Sequence, residues 1–128
     1  MATKEINPES TFIHNGLECK VILTEMGHRC GYVKLPEGHL CRDMDYDDIP
    51  IEVHGGLTYG PSENGWVGFD CGHCYDTPEI WTLEKTIEET KKMADQVYDI
   101  TIAQCIRKKL EYMPDWFTRN VIFKEFKA

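Results

Sequence analysis

The residues best suited to chemistry in this chain lie between Val53 and His73. This stretch holds two histidines, His54 and His73, together with Asp70, six glycines and three aromatic residues. Histidine and aspartate exchange protons and form hydrogen bonds, and aromatic rings offer flat faces for stacking. Glycine lets the backbone come close to a bound molecule. The mixture is typical of a small-molecule pocket, and it leaves both ligand binding and acid–base catalysis open.

The binding interpretation gives the rings and the polar groups separate roles. The rings of Tyr59, Trp66 and Phe69 would stack on a base, and the polar side chains would contact ribose or base edges. Arginine would meet a phosphate, because a guanidinium forks onto phosphate oxygens. The expected ligand-binding residues are His54, Tyr59, Trp66, Phe69, Asp70, His73, Arg29 and Arg107. The competing interpretation makes Trp66 and Phe69 core residues and leaves the arginines in solvent.

An enzyme would use some of the same residues differently. His54, Asp70 and His73, with His39, could perform acid–base chemistry or hold a catalytic metal. Turn residues that cap backbone groups show the same pattern in sequence. We expect binding without turnover, and hydrolysis is the alternative.

The cysteines suggest two further possibilities. Cys71-Gly-His-Cys74 resembles a redox dithiol, but hairpins rather than a βαβ unit precede it, so two reduced, unlinked thiols are expected. Structural zinc would need ligands from Cys30, Cys41, His28 and His39, at loose spacings. The acidic segment Asp43–Asp48 lacks the spacing and central glycine of a calcium loop. We therefore expect no metal and no cofactor.

Composition limits the possible partners. The 128 residues predict one domain, and the formal net charge of −8 argues against binding bulk nucleic acid or anionic lipid. The sequence shows no signal peptide and no apolar run long enough to span a bilayer. A cytoplasmic protein with reduced cysteines is the expectation.

The chain divides into a strand-rich and a helix-rich part. Residues 1–10 are expected to be flexible, 11–75 mainly strands, and 77–128 mainly helical. Strands are predicted at 17–24, 30–35, 51–54, 57–59 and 66–69, with turns at His14-Asn15-Gly16 and Met26-Gly27-His28. This order predicts an α+β fold, with an N-terminal antiparallel sheet of hairpins packed against C-terminal helices.

Sequence signals predict where the helical part begins and where it is interrupted. Thr77 as N-cap and Pro78 at the first helical position predict where the helix begins. The β-branched cluster Ile100-Thr101-Ile102 predicts a kink or break. Residues 117–126 fit either a short helix or an edge strand.

Five short motifs give the chain a family resemblance. They are Gly31-Tyr32-Val33, Pro36-Glu37-Gly38-His39, Asp45-Tyr46-Asp47-Asp48-Ile49, Val53-His54-Gly55-Gly56-Leu57-Thr58-Tyr59 and Gly68-Phe69-Asp70-Cys71-Gly72-His73. In this order they resemble a widespread group of small, mostly uncharacterised bacteriophage and prophage proteins. The similarity covers roughly residues 30–75. It implies a small accessory protein that works in a bacterial host cytoplasm, where phages use such proteins against host defence.

The sequence therefore predicts a phage anti-defence protein that binds and sequesters a nucleotide-derived immune signal without degrading it. The ligand would lie between the Val53–His73 region and the C-terminal helices, and we expect a homo-oligomer. The alternatives are a small hydrolase of a nucleotide-like substrate that uses His and Asp, or an inhibitor that binds a host defence protein directly.

Overall fold

The computed structural model describes residues 7–100 and 102–110, and it has the α+β architecture that the sequence predicts. The elements are β1 (Ser10–His14), β2 (Leu17–Leu23), β3 (Arg29–Lys34), β4 (Trp66–Asp70), α1 (Leu83–Asp99) and α2 (Ile102–Leu110), with a short 3-10 helix at Tyr46–Asp48. The strands form one antiparallel sheet in chain order. Segment 117–126 lies outside the described residues.

Strand pairing starts earlier in the chain than the sequence predicts. β1 starts at Ser10, and the backbone N–H of Glu9 already donates to Val21, so pairing begins within the range expected to be flexible. The β1–β2 turn is where it was predicted. Asn15 and Gly16 both have positive φ, 53° and 75°, which is the backbone that a tight two-residue hairpin needs.

The connection from β3 to β4 runs over residues 35–65 and contains little regular structure. The predicted strands at 51–54 and 57–59 do not form, and only Tyr59 makes an isolated bridge, to Gly68 of β4. Gly55 and Gly56 explain the interruption, because their φ values of 69° and 77° turn the chain out of an extended path. This segment nevertheless lies beside β4 and carries His54.

α1 covers one face of the sheet and forms the core with it. Val33, Val67 and Phe69 are buried in the same cluster as Met93 and Ala94 of the helix. Alternation along β4 therefore sends Val67 and Phe69 inward and Trp66 and Asp70 to the opposite face.

Gly31 of β3 allows α1 to approach the sheet closely. A Cβ atom at this position would lie 2.2 Å from the Thr90 hydroxyl and 2.5 Å from the Phe69 ring. Thr90 is itself fully buried, and its hydroxyl donates to the backbone carbonyl of Thr86. α1 can pack this close to the sheet because the buried Thr90 hydroxyl has its hydrogen-bond partner within the helix.

The start of the helix differs from the prediction, and its end agrees. α1 begins at Leu83, and Thr82 is its N-cap, accepting from the backbone N–H of Lys85. Thr77 instead caps a separate turn, where its hydroxyl accepts from the N–H of Ile80. The break predicted near residues 100–102 is present: α1 ends at Asp99, and Ile100 has a non-helical ψ of 130°. In the described part of the chain, no helix combines the length and apolar character that crossing a membrane requires.

Candidate functional site

His54 and Asp76 form the closest pair of functional groups in this region. The Nε2 atom of His54 lies 2.7 Å from a carboxylate oxygen of Asp76. A carboxylate only accepts hydrogen bonds, so Nε2 carries the hydrogen and, in the neutral ring, Nδ1 is the acceptor. Among the described residues, Nδ1 of His54 has no hydrogen-bond partner. The pair therefore presents an oriented histidine with one nitrogen available.

Trp81, just before α1, and Glu89, within α1, hold His54 in place. The indole of Trp81 packs against its ring, with centroids 4.1 Å apart and planes tilted by 31°. The backbone N–H of His54 donates to a carboxylate oxygen of Glu89 at 2.8 Å. The side chain of His54 is 26% exposed, so solvent still reaches this fixed ring.

His73 completes a small cluster with His54. The two imidazoles meet edge to face, with centroids 5.7 Å apart, and Nε2 of His73 lies 3.4 Å from an oxygen of Asp70. That nitrogen is buried without a hydrogen bond, and a Cβ atom on Gly55 would lie only 2.2 Å from it. A side chain at position 55 would therefore collide with the His73 ring, so the packing of His73 requires a glycine there. We call His54, Asp70, His73, Asp76 and Trp81 the histidine cluster.

Asp76 is the anionic anchor of this cluster. Burial acts to raise the pKa of its carboxyl, but hydrogen bonds from the His54 ring and the His73 backbone N–H outweigh it and hold the pKa below the usual value. The side chain is only 8% exposed. The carboxylate therefore stays ionised at neutral pH and fixes both histidines by one group.

The predicted stacking residues separate onto different surfaces. Tyr59 and Trp66 lie on the sheet face opposite α1, which also carries Tyr32 and Lys20. The Tyr32 and Tyr59 rings are edge to face at 5.6 Å, and the Lys20 ammonium lies 4.2 Å from the Trp66 centroid. Tyr59 pairs with Gly68, two residues before Asp70, so it adjoins the histidine cluster at a distance of about 7 Å along β4. Trp66 is at the far end of that strand.

The structure places three other expected ligand residues away from the cluster surface. Phe69 is 1% exposed beneath α1, so its ring belongs to the core and offers no stacking face. Arg29 pairs with Glu9 at 2.8 Å. Its guanidinium also donates a hydrogen bond to the backbone carbonyl of Trp81, the residue whose ring packs on His54. Arg107 is on α2, beside an open cleft lined by Pro50, Gln104 and Lys108.

The metal and redox alternatives find little support in the described part of the chain. No group of three or more His, Cys, Asp or Glu side chains there is arranged to hold a metal ion. Cys71 is buried and Cys74 is exposed, and all six cysteines are free. His39 bonds to the Val97 carbonyl and the Cys41 backbone N–H. In the acidic segment, Asp45 accepts from the N–H of Tyr46 and caps the 3-10 helix.

Sequence reasoning missed Asp76, Trp81 and Glu89. Asp76 is 22 residues from His54 and Glu89 is 35, so only the tertiary fold shows these pairs. The one local signal is the three-residue spacing of His73 and Asp76. In a tight turn, the carboxylate of an aspartate three residues later in the chain can accept a hydrogen bond from the backbone N–H of His73.

The cluster offers hydrogen-bonding and proton-transfer groups rather than a covalent nucleophile. No described serine, threonine or cysteine side chain hydrogen-bonds to His54. The groups around it are two aspartates and Glu89, and the ammonium of Lys85 lies 4.5 Å from the Trp81 ring. Acceptors therefore dominate, and they suit hydroxyl and N–H donors on a ligand. No family model matches the chain, and no curated protein or solved structure matches it either.

Proposed function

We propose that this protein binds a small nucleotide-like molecule at the histidine cluster and sequesters it intact. The observation that carries the proposal is the orientation of His54. Its Nε2 atom is held 2.7 Å from the ionised Asp76, while Nδ1 is unbonded on a ring that solvent reaches. An acceptor held in this way recognises a ligand N–H or hydroxyl at little further entropic cost.

Asp70 extends the acceptor surface toward the sheet. Its side chain is 27% exposed, and it already accepts from the backbone N–H of Gly72. A carboxylate has capacity for more than one donor, so a ribose diol could bridge Asp70 and the nearby imidazoles. Tyr59, 47% exposed at the adjoining edge, would border the same ligand.

The charges around the cluster favour recognition of the nucleoside part over the phosphates. Asp70, Asp76 and Glu89 surround the histidines, and Arg29 is engaged by Glu9. Lys85, above the Trp81 ring, is a cation at the border of the cluster. We therefore assign hydrogen bonding of ribose and base edges to the cluster, and a phosphate contact to Lys85.

The biological setting of the proposal comes from the family resemblance. It implies that the ligand is a nucleotide-derived signal of a bacterial defence system and that the protein acts in the host cytoplasm. A homo-oligomer is part of the same proposal, in which α1 would offer the subunit face; Tyr98 of that helix is 65% exposed. Sedimentation as a strict monomer would remove the oligomer from it.

A second candidate function is hydrolysis of the same class of molecule. It is favoured by the Asp76–His54 geometry, which matches the requirement of a general base held by a carboxylate on its second nitrogen. In this version Nδ1 of His54 would take a proton from a water molecule.

Binding to a nucleotide panel tests the proposal. Wild-type protein would be titrated with cyclic nucleotides and ADP-ribose derivatives by calorimetry, alongside His54→Gln and the matched control His14→Gln. His14 also pairs with an aspartate, Asp95 at 2.8 Å, but on the β1–β2 side. Binding by the wild type and by His14→Gln, with loss in His54→Gln, is expected. Equal binding by all three would contradict the assignment to this cluster.

A further inference from the structure

Tyr75 is an aromatic residue held in an unfavourable backbone conformation with almost no packing in return. Its φ is 71°, and the residue is 93% exposed. The left-handed region is costly for residues with a Cβ, and a tyrosine gains nothing there unless its ring makes contacts. Strain of this kind is found at functional sites, where the surrounding structure enforces it.

The turn that carries Tyr75 is built into the histidine cluster. The backbone N–H of Asp76 donates to the carbonyl of His73 at 2.9 Å, which closes a β-turn with Cys74 and Tyr75 at its centre. Positive φ at the second central position is the place for glycine or asparagine. The N–H of His73 donates back to the Asp76 carboxylate at 3.0 Å, so both ends of the turn are fixed.

The fixed turn places Tyr75 directly beside a residue of the histidine cluster. Asp76, which follows it directly, is the residue that orients His54. The phenol ring is therefore attached to a braced turn whose flanking residues, His73 and Asp76, belong to the histidine cluster, and no ring contact or hydrogen bond joins it to another of the described residues. Tyrosine suits such a place because it supplies a large flat surface with few rotatable bonds.

We propose that Tyr75 is the stacking residue for the base of the bound ligand, in the role that the sequence suggests for Phe69. This inference rests on the proposed function, because it assigns the ring contact of that same site. The ligand class it names is a molecule with an aromatic base, such as a purine nucleotide, whose base lies on the Tyr75 ring while its hydroxyls reach His54 and Asp70.

Two substitutions separate stacking from structure. Tyr75→Phe keeps the ring. Tyr75→Gly removes the ring and also relieves the backbone strain, because glycine has no Cβ atom and adopts positive φ readily. Calorimetric titration with the same cyclic nucleotides and ADP-ribose derivatives should show binding within about twofold of wild type for Tyr75→Phe. Tyr75→Gly should bind at least about tenfold more weakly, as expected for a lost base–aromatic stack. Its melting temperature should equal or exceed that of the wild type.

Asn15→Gly is the matched control. Asn15 is the other described non-glycine residue with positive φ, and its turn joins β1 and β2. That variant should bind as the wild type does. If the wild type binds a nucleotide and Tyr75→Gly binds it equally well, the stacking role is overturned and the proposed function stands. If the wild type binds none of the probes, the proposed function fails, and the role of Tyr75 fails with it.

Discussion

His54 and Asp76 meet at 2.7 Å although 22 residues separate them in the chain. The contact joins the loop beside β4 to the turn that precedes α1, and the Trp81 ring packs on the imidazole. One hydrogen bond thus fixes the histidine tautomer and ties two irregular segments together. In the proposed function, the same pair would therefore serve both stability and ligand recognition.

The first prediction concerns Asp76 and pH. Its folded-state pKa lies below the ordinary value of 3.8, so its stabilising contribution is present above that value and disappears as the pH falls through the lower folded-state pKa. Asp76→Asn should lower the free energy of unfolding by about 1.5–3 kcal/mol at pH 7, the range for a hydrogen bond to a charged group. Urea denaturation from pH 7 to 3 should show this difference shrinking below about pH 4. A difference that stays constant to pH 3 would contradict the assignment.

The second prediction concerns Phe69, which lies under α1 rather than on the proposed ligand-binding surface. Phe69→Leu should reduce stability by about 1–3 kcal/mol, because it leaves unfilled volume in the core. Nucleotide affinity should stay at the wild-type value when measured well below the melting temperature. Lost affinity with unchanged stability would show that the ring contacts ligand.

The third prediction concerns the close approach at Gly31. Gly31→Ala should lower the free energy of unfolding by about 1–3 kcal/mol, because the new methyl group overlaps Thr90 and Phe69. Gly72→Ala is a milder control, since the three atoms nearest to its methyl would all belong to the His28 ring, at 3.0 Å. Thermal denaturation compares the two variants, and an equal effect would mean that α1 can shift to make room.

The fourth prediction concerns thiol reactivity. Burial raises the pKa of Cys71 to about 12 and that of Cys19 to about 11, whereas Cys74 is exposed. Iodoacetamide at pH 7.5 should therefore modify Cys74 first in the native protein, and Cys71 only after unfolding. Peptide mass spectrometry measures both sites, and Cys74→Ser should abolish the fast phase. Equal rates at Cys71 and Cys74 would revive the dithiol interpretation.

Local sequence signals predicted most of the sheet. β2, β3 and β4 alternate or contain β-branched residues between turn signals, and the Asn15-Gly16 turn is typical of a hairpin. β1 was harder to predict because it follows a polar N-terminal segment and none of its residues is fully buried, with Phe12 only partly buried against the core. The helix start was displaced by five residues because Thr77 and Thr82 both have capping chemistry, and only the fold decides between them.

The site was predictable only in part. His54, Asp70 and His73 were chosen from their types, and the fold brings them together. Asp76 and Glu89 meet His54 through long-range contacts, and the one local signal for either of them is the three-residue spacing between His73 and Asp76. The inward direction of Phe69 follows from its phase with Val67, since residues two apart on a strand share a face.

Recovery of an intact ligand tests the central claim most directly. Purified protein would be mixed with cyclic nucleotides and ADP-ribose derivatives, and the filtrate and the heat-denatured pellet analysed by mass spectrometry. Sequestration predicts a nucleotide that leaves the filtrate in the presence of wild type but not His54→Gln, and that returns from the pellet with unchanged mass. A new mass in the filtrate would contradict sequestration and favour hydrolysis at His54. Every nucleotide remaining free would contradict nucleotide binding itself and favour a host protein as the target.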